Sequence, residues 1–158
     1  MSFEASFDDK EVKKFFKNLD KKLSEVKDGK KKYVGLLSAI VYGDVMDHFE
    51  QEKGEKGAWP AWSSIYAEHM KRRGDANGKI LQRSPARLKQ NFKPESYKIK
   101  SKGFNWFNDA KTKSNFPYAW GHNEGDGKLP QRDFMWLSDK AMEKASVQTL
   151  QFMLEEGI

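Results

Sequence analysis

The stretch Tyr97-Lys98-Ile99-Lys100-Ser101-Lys102-Gly103-Phe104-Asn105-Trp106-Phe107 breaks the periodicity of what precedes it. Tyr97 and Ile99 alternate with Lys98 and Lys100, and Phe104 and Trp106 flank Asn105. A period of two places each set of side chains on its own face of a strand. Lys102-Gly103 is a turn signal between the two runs. The stretch is read as a β-hairpin with a lysine-rich outer face. It makes the expected class α+β, with a small antiparallel β-sheet packed against several α-helices.

Upstream the period is helical. Ser84-Pro85 is an N-cap followed by Pro at the first helical position, so Pro85 to Phe92 is expected as a short helix that Pro94 stops. Ser63 or Ser64 opens a helix to Arg73, closed by Gly74, with a mobile turn to Gly78. Gly54 to Pro60 reads as a loop. Tyr33 to Glu52 is apolar over most of a helix circumference in its first half and is expected to be the central, most buried helix. Lys30 to Lys32 form a basic link before it. From Asp8 to Asp28, Val12, Phe15, Phe16, Leu19, Leu23 and Val26 make a narrow helical stripe, with Asp8 or Asp9 as cap and Gly29 as stop.

Downstream, Asp109 to Asn115 is a polar loop, Phe116 to Trp120 a strand-like piece and Gly121 to Gly127 a glycine-rich loop. Phe134 to Leu137 is expected as a last strand. Ser138-Asp139 caps a helix to Glu156, with Met142, Ala145, Leu150, Met153 and Leu154 along one side. The organisation expected is an N-terminal amphipathic helix or arm (1–29) and a single α+β domain (30–158).

The core allowance is lean: Leu, Ile, Val and Phe make up 32 of 158 residues, near the ~20% below which chains tend to disorder. Five Trp, five Tyr and six Met restore a globular composition. That aromatic content suits core filling and protein interfaces alike. There is no cysteine, which excludes disulfides and thiolate chemistry. No apolar run reaches the ~18 residues of a membrane span, and Met1 to Lys10 has no apolar block, so neither membrane partner nor secretory leader is expected. The net charge is +6, but it is segregated: +3 over 1–32, −4 over 33–68, +10 over 69–113 and −3 over 114–158. The basic belt faces phosphate, an acidic neighbour or water.

Three histidines are the candidates for chemistry. His48 shares a helix face with Asp44 and Glu52, an arrangement that could hold a cation, but the favoured reading is a solvated helix face. His69 beside Glu68 has no second His at helical spacing, and His122-Asn123 is a single His in a glycine-rich loop. No phosphate loop, nucleophile elbow or dinucleotide fingerprint occurs. No catalytic residue, metal ligand or cofactor is expected, and the chain is read as a non-enzyme. In the belt, Lys71, Arg72, Arg73, Lys79, Arg83, Arg87, Lys89 and Lys93 precede Lys98, Lys100 and Lys102 of the hairpin. Phe104, Trp106 and Phe107 are placed to stack bases, although no helix-turn-helix or other reader motif accompanies them.

From Trp59 onward an ordered set of pieces emerges. Trp59-Pro60-Ala61-Trp62-Ser63 leads into a helix with Tyr66 and Lys71; Ile80-Leu81 precedes Ser84 and Leu88; Tyr118-Ala119 precedes His122 and Gly125; Leu129-Pro130-Gln131-Arg132-Asp133-Phe134 precedes Ser138-Asp139. Over about residues 45–156 this order resembles the phage virion morphogenesis (tail completion) family of Mu-like and other tailed phages and prophages. Two features depart from the family pattern: Pro85-Ala86 stands where a Gly follows Ser/Thr, and the Lys-rich helix before Tyr33 lies outside it.

The resemblance implies a structural virion protein without catalysis, a tail-completion or neck subunit at the head–tail junction or upper end of the tail, assembled in the host cytoplasm. It implies a ring homo-oligomer, expected as a hexamer, that meets neck or connector, tail terminator, tube or sheath proteins and lets double-stranded DNA pass without sequence specificity. Arg132, Trp136, Trp120 and Trp106 are candidates for subunit contact or loop anchoring. Lys98, Lys100, Lys102, Arg72, Arg73 and Arg87 are candidates to face DNA or an acidic partner. Trp59, Trp62, Tyr118, Pro130 and Phe134 are expected in the core. The alternative is a small basic DNA-binding protein.

Overall fold

A helix that is apolar on most of its circumference must be covered on most of it, and two separate cores cover the helix that begins before Tyr33. The computed structural model describes residues 9–26, 28–74, 78–82, 87–100, 103–108, 110–112, 114–126 and 129–157. Its elements run α1 (Asp9–Glu25), α2 (Gly29–Gln51), β1 (Lys53–Gly54), β2 (Gly57–Ala58), α3 (Ser64–Arg72), α4 (Arg87–Gln90), β3 (Tyr97–Lys100), β4 (Gly103–Trp106), α5 (Tyr118–Glu124) and α6 (Asp139–Glu155). The fold is α+β, with its strands divided between two antiparallel two-stranded hairpins, β1–β2 and β3–β4. Among the described residues, no helix is long and apolar enough to cross a membrane.

The C-terminal half of α2 carries the larger core. Val45 and Phe49 pack with Trp59, Ile80, Leu88, Phe92, Ala119 and Phe134. Its centre is aromatic: the Phe49 ring lies 5.5 Å from Trp59 and 5.3 Å from Phe134, and Phe92 stacks on Trp106 at 4.8 Å. The smaller core joins Leu19 and Leu23 of α1 to Phe152 of α6, with Tyr33 and Met153 at its edge. The α1 stripe therefore rests on the chain's own helices through these two leucines.

Several local expectations hold. Ser63 caps α3 by accepting the Tyr66 N–H, and Gly74 ends it in the left-handed region at φ 67°. Ser138 caps α6 by accepting the Ala141 N–H. The hairpin pairs Tyr97 with Trp106 and Ile99 with Phe104, so these four share one face while Lys98, Lys100 and Asn105 share the other.

Others are corrected. Lys30 to Lys32 are no link: α2 already begins at Gly29, which is buried where an added Cβ would sit 2.7 Å from the Leu23 carbonyl oxygen. Gly29 thus opens α2 instead of stopping α1. Gly54 to Pro60 contains the β1–β2 hairpin. Residues 118–124 form helix α5, not a strand over 116–120 or a loop from 121, because Pro117 sets up a helical start and Ala119 and Gly121 are small enough to be buried. Phe134 to Leu137 is not a strand. The Phe134 and Met135 N–H groups donate to the Asn123 side chain, at 3.1 and 3.0 Å, and so have no ladder to join. In α6 the buried face runs through Ala141 and Phe152, whereas Met142, Leu150 and Leu154 are exposed. The expected caps at Asp8 and Ser84, the turn residues 75–77 and 101–102, and residue 127 lie outside the described residues.

Candidate functional site

Residues 132–135 thread between the Glu55–Ala61 stretch and α5 and bond to both. Arg132 is buried at 6% exposure. Its Nε donates to the Pro60 carbonyl at 2.9 Å and its Nη2 to the Ala61 carbonyl at 3.2 Å, so the planar fork holds the Trp59 loop. Asp133 accepts the Glu55 N–H at 2.9 Å with its side chain, while its carbonyl accepts the Trp59 indole N–H at 2.9 Å. The approach is so close that a Cβ on Gly54 would lie 1.9 Å from the Asp133 carboxylate. On the other side the Arg132 N–H donates to the His122 carbonyl at 2.7 Å, and Asn123 accepts the next two amides. Burial, and then the charge of Arg132, hold His122 below its ordinary pKa against the opposing pull of Asp126. Burial also lowers Arg132, with Tyr66 opposing it. The quoted pieces around Trp59, His122 and Arg132 are thus one hydrogen-bonded node, and Arg132 acts within it as a loop anchor.

The node leads into a second arrangement. The Phe134 carbonyl lies 3.0 Å from His48 Nδ1, and His48 stacks on Trp136 at 4.2 Å. His48 Nε2 is 3.6 Å from Asp44, whose two oxygens accept the Ser138 N–H at 2.8 Å and the Ser138 hydroxyl at 2.5 Å. His48 is buried, which corrects the expected solvated face: it lies on the side of α2 that Phe134 and Trp136 cover, while Asp47, Glu50 and Gln51 stay exposed. The group ties α2 to the start of α6. Glu52 is not part of it; its carboxylate accepts the Ile80 N–H. Among the described residues, no three His, Asp or Glu side chains gather as a metal site.

Beside this group lies an open apolar groove of about 210 Å³. α2 contributes Val41 and Val45, β4 contributes Phe104 and Trp106, and the segment before α6 contributes Met135, Trp136 and Leu137. Trp106 and Trp136, two of the interface candidates, therefore meet here, each half-buried. Trp120 stands apart on α5 and is 57% exposed.

The basic candidates do not form one surface. Arg72 pairs with Glu68 at 2.5 Å. Lys79 and Lys89 converge on Glu50, and their hydrogen bonds hold its carboxyl below the ordinary value. Arg73 is exposed after α3, and Lys98 and Lys100 are exposed on the outer hairpin face, with Lys98 over the Phe107 ring at 5.4 Å. Lys102 and the Arg87 side chain lie outside the described residues. Of the core candidates, Trp59 and Phe134 are buried, and Trp62 and Tyr118 pack half-buried against them. Pro130 is exposed and is not a core residue.

The sequence brings in Asp44 and Asn123 only beside His48 and His122, and Asp133 only within a longer piece; the bonds that these three make are not legible in it. Asp133 and Asn123 lie inside the quoted pieces, but nothing local tells which backbone groups they reach. Asp44 meets Ser138 from 94 residues away. Comparison with protein-family models, curated proteins and solved structures returns no match to this chain.

Proposed function

We propose that the chain is a structural subunit of a tailed-phage virion, a tail-completion or neck protein at the head–tail junction or upper tail, working without catalysis in a ring that DNA traverses. One observation carries the reading. The pieces around Trp59, His122 and Arg132 converge on a node in which side chains of one piece hold the backbone of another, while large apolar side chains remain on the outside. Ile65 and Leu154 are each 82% exposed, Leu150 61% and Trp120 57%. A chain with so lean a core that leaves such residues uncovered is built to meet other protein surfaces. The resemblance of the same ordered pieces to the tail-completion family supplies the place of that assembly.

The test is to delete the coding sequence in a phage that carries it and to image the particles. The expected result is heads and tails that fail to join or tails left unfinished, restored by supplying the chain. Normal infectious particles without the chain would overturn the reading. The second reading, a small basic DNA-binding protein, draws on the exposed Lys98 and Lys100.

A further inference from the structure

We infer that the exposed lysine row of α1 is a contact surface for the phosphate backbone of duplex DNA. The inference deepens the ring-subunit reading, from which it takes duplex DNA as the polyanion, and names the element that faces it. At ~3.6 residues per turn, Lys14, Lys17 and Lys21 fall within about 60° of one another around the helix axis. All three are exposed and have no carboxylate partner among the described residues. Lys10 and Lys13 continue the row toward the start of the helix, where they are exposed and make other contacts. Leu19 and Leu23, on the roughly opposite side of α1, are buried against Phe152 of α6, so the row is turned away from the body of the molecule.

The helix sorts its charges. Around the axis from Lys13 to Lys14, an arc of about 100° holds the five lysines and Ser24, with no carboxylate among them. Asp20 stands at one edge of that arc and is held by Lys30 at 2.7 Å. Glu25 stands at the other edge, beyond the last lysine of the row.

The chemistry of the row selects the partner. Lys14 to Lys21 span ~10 Å along the axis, a length over which duplex DNA presents about six phosphate charges. An ammonium on a long stem meets phosphate as a point charge and has no fork with which to read base edges. Such a contact is indifferent to sequence. Protein interfaces are depleted in Lys and anchored by aromatic side chains and Arg, and the row has none of these anchors. A helix that enters a lipid surface needs its apolar face free, whereas Leu19 and Leu23 are engaged with α6.

Lysine footprinting tests the contact. The full-length chain is acetylated with an N-hydroxysuccinimide ester, with and without a duplex of about 30 bp at ~50 mM salt, and modification is read residue by residue in mass spectrometry. Lys14, Lys17 and Lys21 are expected to be protected about fivefold or more, whereas Lys56 and Lys144, exposed on other parts of the chain, are not. Lys14→Gln/Lys17→Gln/Lys21→Gln, checked by circular dichroism, should weaken duplex binding about tenfold at that salt. Lys14→Arg/Lys17→Arg/Lys21→Arg keeps the charge and should stay within about twofold of the wild type, on duplexes of unrelated sequence alike. Absence of protection at the three lysines, or a Gln variant that binds duplex as the wild type does, overturns the assignment. A Gln variant that loses phosphatidylglycerol vesicles but keeps duplex DNA overturns it too, in favour of a lipid surface. These results leave the virion reading standing. Normal infectious particles without the chain, alongside an intact footprint, overturn that reading and leave this contact.

Discussion

Arg132 shows why a guanidinium, and not merely a positive charge, is needed at its position. Two neighbouring carbonyls, of Pro60 and Ala61, are reached from two nitrogens of one rigid plane. Hydrogen bonds from charged donors contribute about 1.5–3 kcal/mol each to stability. The Arg132 carbonyl partners border solvent, which can rehydrate them, so Arg132→Ala is expected to cost about 2–3 kcal/mol by urea unfolding. Arg132→Lys should recover less than half of that, because one ammonium cannot satisfy the same two acceptors with the same geometry. His122 gives the node a pH dependence. Its folded-state pKa lies below the ordinary 6.5, through burial first and Arg132 second. The unfolded chain therefore takes up the proton first on acidification, and stability present above about 6.5 is lost as pH falls toward the folded value. Thermal melts from pH 7.5 to 5 are expected to show a falling Tm, and His122→Gln should flatten that slope. Glu50, also lowered, acts in a separate window: its contribution is lost only as pH falls below the ordinary carboxyl value of 4.5.

At its N-terminal end α6 is tied to α2 by one serine. The Ser138 hydroxyl accepts from Ala141 at 3.2 Å and donates to Asp44 at 2.5 Å, so it serves as helix cap and as cross-link at once. Ser138→Ala is expected to cost about 1–2 kcal/mol in chemical denaturation. Ser138→Asp separates the two roles. It restores a good cap but sets a second carboxylate against Asp44, so it should remain destabilised; full recovery would show that the cap alone matters. The cap itself was legible, because Ser before an acidic first turn is a local signal. Asp44 was not, since a bond spanning 94 residues leaves no trace in either neighbourhood. The same division runs through the other elements. The β3–β4 hairpin follows from its own alternation, and α3 from Ser63 and Gly74. Residues 118–124 were misread because Tyr118 and Trp120 suit strands by propensity, while tertiary packing of Ala119 and Gly121 decided for helix. Residues 134–137 have a strand's composition, but Asn123 and His48 take the backbone bonds a strand needs. In α6 the apolar residues occupy two faces, and only contact with Leu19 and Leu23 selects Phe152 as the inner one.

Folding spends part of the charge segregation that the linear chain displays. Of the +10 over residues 69–113, Lys79 and Lys89 are taken by Glu50 and Arg72 by Glu68. What faces outward from the hairpin is the pair Lys98 and Lys100. That arithmetic separates a subunit that lets DNA slide past from a protein that holds it. Non-specific duplex binding weakens with salt at a log–log slope of about −0.9 per neutralised phosphate. Two lysines on one short hairpin predict a contribution of about −2 to the slope, with a Kd for the isolated chain no tighter than the ~10⁻⁴–10⁻⁶ M of non-specific contacts. Lys98→Ala/Lys100→Ala should make the slope shallower by about 2 while leaving the unfolding free energy within about 0.5 kcal/mol, as for exposed substitutions away from structural features. A slope of about −5 or steeper with nanomolar affinity would require phosphate contacts well beyond this pair and would make DNA binding the chain's own work. A shallow slope leaves DNA as something the assembly encounters: a weak, sequence-indifferent contact per copy, multiplied around a ring, guides a duplex without gripping it.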